Sequence, residues 1–450
     1  TARTDSFQFI FAMVGCIVLA VIVVRLPEIG GVVALQEKLA PQVLDFFPRI
    51  GAISTKGVTG GVFALSIGAF FAHIGLQWWS SWYPGSDPGG GGYVAQRMMS
   101  TKDEKNSQLA TLWFTVAHYT LRPWPWIIVA LAALVILPRS QSPELIEAEN
   151  PALYQQVVQA YSNKVNVHSG DAAYESPEFQ AMYEKYENTV DPGVMYPKLM
   201  MRYLPPGLLG LLIAVFLAAY MSTIASQLNW GASYLINDLY RRFMHRDADE
   251  KHYVMVSRIA IFLMTVVSLL VTRFFLTTVS GAWEFIINAS AGLGAVLILR
   301  WFWWRINAWS EISAMIAPLI IYPVARWGFG LESPITLYPI VFGTTIVWLV
   351  VTFLTEPVEE SHLTAFFRRI RPGGIGWKPI KALEPDVVQD SGYGLTFLNW
   401  VLGVILIYAF LYGFGQIIFK NYLVGFITVG VGITTGALIN HNLKKVSEGV

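Results

Sequence analysis

The stretch PPGLLGLLIAVFLAAYMSTIASQLNWGASYLINDLYRRF, residues 205–243, decides the fold of this chain. It is apolar over more than the roughly 20 residues that one α-helix needs to cross a bilayer. Its centre nevertheless carries hydroxyl side chains, at Ser222, Thr223 and Ser226. Counted from Ala219, these residues lie at i+3, i+4 and i+7, so a helix places them on one face.

Two interpretations of this hydroxyl face follow from physical chemistry. Hydroxyl groups inside a bilayer need hydrogen-bond partners. In the first interpretation they bond back to their own helix, and small residues such as Ala218 and Ala225 let another helix approach closely. In the second they bind a cation, because hard cations take oxygen ligands. The pattern alone leaves both interpretations open.

Composition places the whole chain in a membrane. Its 450 residues are 54% hydrophobic and only 14% charged, and the mean hydropathy is +0.49. Charged residues make up about a quarter of a typical soluble domain. Long apolar runs, in place of short alternating segments, favour an all-α polytopic membrane protein over a β-barrel. A net charge of +1 gives no reason to expect a nucleic-acid partner, and the single cysteine, Cys16, excludes an intrachain disulfide.

About ten transmembrane helices are predicted, with bounds uncertain by several residues. They are 5–24, 58–83, 108–137, 206–238, 256–277, 282–304, 310–329, 336–355, 395–418 and 422–440.

Basic residues orient these spans, because cytoplasmic connections are enriched in Lys and Arg. If ten spans alternate across the bilayer, the five connections or ends that are richest in Lys and Arg all fall on one side. Their basic residues are Arg97, Lys102 and Lys105; Arg241, Arg242, Arg246 and Lys251; Arg300 and Arg305; Arg368, Arg369, Arg371, Lys378 and Lys381; Lys444 and Lys445. That side is predicted to be cytoplasmic and includes the C-terminus.

The acidic connection 138–205 is then external. Its Ser142-Pro143-Glu144 and Ser176-Pro177-Glu178 predict the starts of two surface helices that form a cap, with a mobile polar loop as the alternative.

Polar residues inside predicted spans are candidates for function. His73 and Gln77 lie four residues apart and precede Trp78 and Trp79, which is compatible with a broken helix lining a cavity or with an interfacial aromatic belt. Arg122 either lines a cavity or extends toward the interface near the prolines that follow it. Asp5 is either a functional carboxylate or an acid favoured by the helix dipole.

Two other chemistries have little support in the sequence. The sequence shows no nucleophile–base constellation, so an enzyme is not expected. The run Gly89–Gly92 has no Gly-Lys-Ser/Thr after it, so a phosphate-binding loop is not expected either.

Four segments together resemble the sodium/solute symporter family, whose members include sodium/glucose, sodium/proline and sialic acid transporters. They are AAYMSTIASQLNWGASYLINDLY with Asp238-Leu239-Tyr240, TDSFQF, YVAQRMMSTKDEK and RWFWWRINAW. The resemblance covers nearly the whole chain. It implies a LeuT-like inverted-repeat fold, in which broken helices meet near the bilayer midplane.

The resemblance also implies a domain organisation. Residues 1–25 correspond to the last helix of the first repeat, 58–304 to the second five-helix repeat with its external cap loop 138–205, and 305–450 to peripheral C-terminal helices. The transporter core then lacks the first four core helices. Together with a start at Thr1 in place of Met, this leads us to expect an N-terminally truncated member of an uncharacterised bacterial subfamily. Residues 1–450 alone are not expected to transport.

Site residues are carried over by matching motif positions. The carbonyl of Ala219 and the hydroxyls of Ser222 and Thr223 resemble the half of the principal sodium site that this helix supplies. Asp5 and Ser226 match a second cation site, although Ala225 stands where members with a complete second site usually carry Ser. Gln77, Trp78, Trp79 and Arg122 fall at solute-lining positions.

The function implied is sodium-coupled symport of a small organic solute, such as a sugar, an amino acid or a carboxylate, by alternating access. Na⁺ is the expected coupling ion, and no organic cofactor is expected. The expected location is a bacterial inner (plasma) membrane. The alternative is a transporter-like solute sensor without independent transport, because related domains occur fused to signalling kinases.

Overall fold

A computed structural model describes residues 2–51, 53–54, 57–58, 64–81, 98–140, 142–167, 174–276, 278–388 and 393–448. The predicted positions Arg97 and Gly89–Gly92 lie outside these residues. In chain order the α-helices are α1 Ala2–Val24, α2 Val32–Lys38, α3 Pro41–Leu44, α4 Ile67–Phe71, α5 Trp78–Ser80, α6 Glu104–Val116, α7 Pro123–Ile136, α8 Pro143–Glu149, α9 Pro151–Ser162, α10 Pro177–Val190, α11 Met195–Tyr203, α12 Pro206–Ser233, α13 Glu250–Phe274, α14 Val279–Ser290, α15 Leu293–Leu299, α16 Ala308–Pro323, α17 Leu337–Leu354, α18 Glu360–Ile370, α19 Lys378–Leu383, α20 Tyr393–Ile418 and α21 Tyr422–Glu448.

Shorter elements complete the described structure. Segments of wider, π-helical winding are Ala72–Gln77, Ala117–Leu121, Tyr234–Met244 and Val324–Gly328, and one 3₁₀ turn is Pro192–Val194. The strands are β1 Arg49–Gly51, β2 Ile53–Ser54, β3 Gly57–Val58 and β4 Ala64–Ser66. β1 pairs in parallel with β4, with Ile50 opposite Leu65, and β2 pairs antiparallel with β3. These elements confirm an all-α polytopic architecture in which the strands are minor.

Within the described residues, eight helices are long and apolar enough to cross a bilayer, or nine if the bent pair α14–α15 is one span. These nine match nine of the ten predicted spans. The prediction of a helix over 58–83 is wrong at its start, because β3 and β4 are extended and the helix begins only at Ile67. The Ser66 hydroxyl then caps the helix by accepting from the Ala69 N–H at 3.0 Å.

The predicted span 282–304 is present, but as two helices, α14 and α15. The chain bends by 43° between α14 and α15, and the helix ends at Leu299. At the bend, a Cβ on Gly292 would lie 2.3 Å from Thr344 Cγ2 and 2.9 Å from the Ala314 carbonyl oxygen. Neighbouring helices therefore approach the backbone at the bend more closely than any side chain there would allow.

The chain divides into two compact units. Unit 1 comprises Thr1–Leu39 and Arg122–Ala282, and unit 2 comprises Ala40–Leu121 and Trp283–Val450. In unit 1, α1 packs against α7 and α12, and α12 packs against α13. Cys16, Leu19 and Val23 on α1 are fully buried, which identifies the core-facing side of that helix.

The described residues of segment 138–205 in unit 1, named here the external module after its predicted location, form their own small core. The predicted starts at Ser142 and Ser176 are confirmed, and the Ser176 hydroxyl accepts from the Phe179 N–H at 3.1 Å. Two further helices of this segment, α9 and α11, were not predicted. The core shared by the helices of the external module is formed by Ile146, Val157, Ala160, Val167, Phe179 and Met182.

In unit 2, α16 packs against α17 and α20 packs against α21. The Ser310 and Thr352 hydroxyls, both fully buried, lie 2.6 Å apart and join α16 to α17. The π-helical segment Ala72–Gln77 packs against α17, and α5 packs against α15. This brings the residues around Trp79 to the bend between α14 and α15.

Candidate cation and solute site

The predicted cation residues lie together on α12. The Thr223 hydroxyl donates to the Ala219 carbonyl oxygen at 3.0 Å, and the Ser226 hydroxyl donates to the Ser222 carbonyl oxygen at 2.9 Å. Ala219, Thr223 and Ser226 are exposed within the described structure, and Ser222 is half-buried. The spacing in the sequence therefore produces two close oxygen pairs on one helix face.

The chemistry of this donor set suits a small hard cation. All the groups are carbonyl or hydroxyl oxygens, and such cations prefer oxygen ligands. In each pair the hydroxyl presently donates to the carbonyl. Rotation of the hydroxyl hydrogen would leave both oxygens as acceptors for one cation. The bonds back to the helix are common to both interpretations of this face, so the geometry alone does not choose between them.

A second cation site would combine Ser226 with Asp5. Asp5 lies in the first turns of α1, but its side chain is outside the described part of the structure. Ala225 is exposed and offers no side-chain oxygen. Within the described residues, no group of three or more His, Cys, Asp or Glu side chains could hold a metal ion.

The predicted solute residues on the second span form an aromatic patch in unit 2. Trp78 is about half exposed and stacks on Trp400 with ring centroids 5.8 Å apart. The Trp79 indole N–H donates to the Gly75 carbonyl oxygen at 2.6 Å, and the ring packs against a buried cluster that includes Ala291 and Leu337. Trp78 therefore offers an accessible ring face, whereas Trp79 is mainly a packing residue here.

Gln77 and Arg122 occupy different compact units. The Gln77 amide oxygen is hydrogen-bonded to the His73 imidazole on the same π-helical segment of unit 2. In unit 1, the Arg122 guanidinium lies over the Trp126 ring, 4.7 Å from its centroid. The Trp126 indole N–H donates to Cys16 Sγ at 3.1 Å, which holds that ring against α1. Trp126 therefore supports Arg122, and Cys16 supports Trp126 from another helix, a contact that the sequence spacing does not indicate.

A buried polar contact beside the bent pair links residues far apart in the sequence. The Thr336 hydroxyl donates to the Asn288 amide oxygen at 2.8 Å, and both residues are fully buried. The Asn288 amide donates to the Glu284 carbonyl oxygen at 2.8 Å, and the Ser81 hydroxyl donates to the Ile287 carbonyl oxygen at 2.9 Å. The bond from Ser81 holds α14 next to the end of α5, and the bond from Thr336 holds α14 next to the start of α17.

The external module is rich in tyrosine and charge. Burial, followed by the charges of Asp191 and Glu187, raises the pKa of Tyr161 to about 12. Lys198 pairs with Glu187 at 2.7 Å and also donates to the Asn188 amide oxygen at 2.6 Å. A cavity of about 460 Å³ adjoins this pair, and its other lining residues are Leu137, Gln180, Ala181, Tyr183, Glu184, Met201 and Arg202.

Comparisons with known proteins give independent information. Residues 182–317 match the family model described as "Sodium:solute symporter family". The chain is 31% identical over 168 residues to the osmoregulated proline transporter OpuE of Bacillus subtilis, covering 35% of this chain and 33% of that protein. It is 35% identical over 130 residues to the high-affinity proline transporter PutP of Bacillus subtilis, covering 28% and 27%. It is 30% identical over 202 residues to the human sodium/myo-inositol cotransporter 2, covering 39% and 30%.

The spanning helices define the class: this is a multi-pass α-helical membrane protein, and the relatives that it matches are named as transporters. The chain spans about a third of the length of the curated relatives it matches. Residues 182–317, which include the whole of α12, resemble the sodium:solute symporter family.

Proposed function

We propose that this protein takes part in sodium-coupled symport of a small organic solute across a plasma membrane. The observation that carries the proposal is the face of α12, where two carbonyl–hydroxyl oxygen pairs lie within the segment that matches the symporter family. The relatives' names support transport and give the sensor alternative no support. They also supply no reason to assign an enzymatic activity or an organic cofactor.

In this proposal the Ala219 carbonyl oxygen and the hydroxyls of Ser222 and Thr223 bind Na⁺. A neutral oxygen set binds a monovalent cation without fixing it permanently, which suits an ion that must be released on the other side. Asp5 and Ser226 are assigned to a second cation site. Because Ala225 has no oxygen to offer, that site has fewer ligands than the first. The same proposal assigns residues 1–25 to the last helix of the first LeuT-like repeat, 58–304 to the second repeat and 305–450 to peripheral helices.

Coupling requires that sodium binds one conformation more tightly than the other, since equal affinity for both would shift no population. An inward-negative membrane potential adds roughly 2.3 kcal/mol per charge per 100 mV to inward movement of Na⁺. A cytoplasmic C-terminus and an external location for the external module follow from the distribution of basic residues. We assign the protein to a bacterial inner membrane, where the lipid bilayer is its surrounding partner.

We assign the solute to the small polar organic molecules, because the relatives are named as transporters of proline or of myo-inositol. The exposed Trp78 ring offers a flat apolar surface and Gln77 an amide, and both suit a sugar, a polyol or proline. Arg122, held over Trp126, suits a carboxylate. Trp79 contributes by holding this region against the bent helix pair.

A thermal-shift screen tests this proposal without measuring transport. The protein is heated in detergent with proline, myo-inositol or glucose, in sodium and in potassium buffer. A ligand at 100 times its dissociation constant stabilises the folded state by about 2.7 kcal/mol. We expect one solute to raise the unfolding temperature further in sodium than in potassium. Equal shifts in the two buffers, for every stabilising solute, would contradict sodium coupling.

A further inference from the structure

A basic surface in unit 2 lies between two membrane-spanning helices, outside the cation and solute residues. It is formed by α18, α19 and the loop between them. The Trp377 indole N–H donates to the Trp301 carbonyl oxygen at 2.9 Å. A Cβ on Gly376 would lie 2.1 Å from the Phe302 carbonyl oxygen, so this loop rests directly on the segment that follows α15.

That segment marks one end of the spanning helices in unit 2. α15 ends at Leu299 and α16 begins at Ala308. The Asn307 amide donates to the Thr355 hydroxyl at 2.8 Å, and Thr355 follows the last residue of α17. Three helix ends therefore lie at one level. Tryptophans concentrate at membrane–water interfaces, and this level carries Trp301, Trp303, Trp304 and Trp309.

Positive charge dominates this surface. Its basic side chains are Arg368, Arg369, Arg371, Lys378 and Lys381, and all five are exposed. Arg368, although 67% exposed, pairs with Glu384 at 2.7 Å. The acids Glu359 and Glu360 lie at the opposite end of α18. The end of α18 nearest the loop is therefore cationic, and it faces the start of α19, which is also cationic.

An apolar side chain projects from the middle of these cations. Ile375 is 80% exposed and lies between Arg371 and Lys378 in the sequence. The buried residues Leu363 and Phe367 anchor α18 against Trp377, so the loop that carries Ile375 has a fixed base. An exposed aliphatic residue flanked by cations is the arrangement with which peripheral segments bind anionic bilayers.

We propose that this basic surface binds the headgroups of anionic glycerophospholipids, with Ile375 inserted among the acyl chains. The lysine and arginine side chains contact the phosphates, and the exposed isoleucine leaves water. The position of the surface, level with the helix ends and the tryptophans, favours a lipid over an acidic protein as the partner. Through this surface the protein would prefer regions of the membrane that are rich in anionic lipid.

A fluorescent probe at Ile375 tests the proposal, because Cys16, the only cysteine, is fully buried. The Ile375→Cys protein is labelled with an environment-sensitive dye and placed in nanodiscs of phosphatidylcholine with increasing phosphatidylglycerol. The emission is expected to shift to the blue as phosphatidylglycerol increases. A basic side chain near an anionic surface strengthens binding about fivefold, from about 1 kcal/mol. Lys378→Gln should therefore raise the half-saturating phosphatidylglycerol fraction about fivefold, and Lys378→Arg should not.

Leu145→Cys, an exposed position in the external module, is the matched control and should show no dependence on phosphatidylglycerol. Circular dichroism of each variant confirms that it is folded. An emission at position 375 that ignores phosphatidylglycerol would overturn the proposal, as would a folded Lys378→Gln protein with an unchanged response. Tight binding of soluble polyglutamate with no effect of lipid would show that the surface serves an acidic polypeptide instead.

Discussion

Gly294 is the place where the close approach of two helices can be tested most sharply. A Cβ at this position would lie 1.9 Å from the Trp79 carbonyl oxygen, 2.7 Å from the Ser80 carbonyl oxygen and 2.8 Å from Ser80 Cα. Ordinary contacts of a Cβ begin at 3.4 Å, so Gly294→Ala requires a backbone shift of about 1.5 Å. Overpacking against backbone costs about 3 kcal/mol at the upper end of the usual range. The higher helix propensity of alanine offsets about 1 kcal/mol of this.

The matched control is Gly403→Ala on α20, where no atom lies within 4 Å of the added Cβ. Because both variants gain the same propensity, the free energies of unfolding should differ by about 3 kcal/mol. The measurement is reversible unfolding in mixed detergent micelles, followed by tryptophan fluorescence. Equal stability of the two variants would refute the packing of α5 on α15. Since Trp78 and Trp79 are assigned to the solute site, the same shift should also weaken solute binding.

Two further predictions concern buried polar groups. Asn288→Ala should lower the free energy of unfolding by about 1–3 kcal/mol, because it leaves the buried Thr336 hydroxyl without its acceptor. Adding Thr336→Val should then cost little, and fully additive losses in the double-mutant cycle would contradict this pairing. The pKa of Tyr161 is raised to about 12 by burial and by Asp191 and Glu187, so its contribution to stability is present below pH 10 and is lost as pH rises toward 12. An ultraviolet titration should show delayed ionisation that Tyr161→Phe removes, and ionisation near pH 10 would contradict the burial of this phenol.

Local signals account for the parts of the fold that could be predicted. Apolar length sets the spans, as in α12, which begins at Pro206 where the prediction placed it. Ser176-Pro177 predicted the start of α10, because a hydroxyl cap and a proline act within one turn. The start of α9, with its Asn150 cap before Pro151, carried the same kind of signal but was not predicted.

Contacts between distant residues account for what could not be predicted. The bend between α14 and α15 depends on Thr344 and Ala314, and neither residue is near Gly292 in the sequence. The π-helical segment Ala117–Leu121 was not predicted either, although Pro123 follows it closely in the sequence. Prolines in other spans do not by themselves indicate where the helix winding will change.

In the candidate site, too, local spacing predicts some contacts, and contacts between distant residues could not be predicted. Helical spacing was sufficient to place Ala219 and Thr223 together, and the structure pairs their oxygens at 3.0 Å. The cation–π contact of Arg122 with Trp126 also follows from a spacing of four residues. The hydrogen bond from Trp126 to Cys16 joins different helices, and no local pattern indicates it.

The most direct test of the sodium assignment is solute uptake by cells that express the complete gene product, measured in sodium and in potassium. Thr223→Ala removes a proposed cation ligand, whereas Thr223→Ser keeps the hydroxyl. Thr265→Ala is the matched control, because the Thr265 hydroxyl makes the same bond to its own helix, at 2.8 Å to the Ile261 carbonyl oxygen. We predict that Thr223→Ala abolishes sodium-dependent uptake, and that Thr223→Ser and Thr265→Ala retain it. Undiminished sodium dependence in a correctly expressed Thr223→Ala protein would contradict the assignment of α12 as the sodium-binding helix.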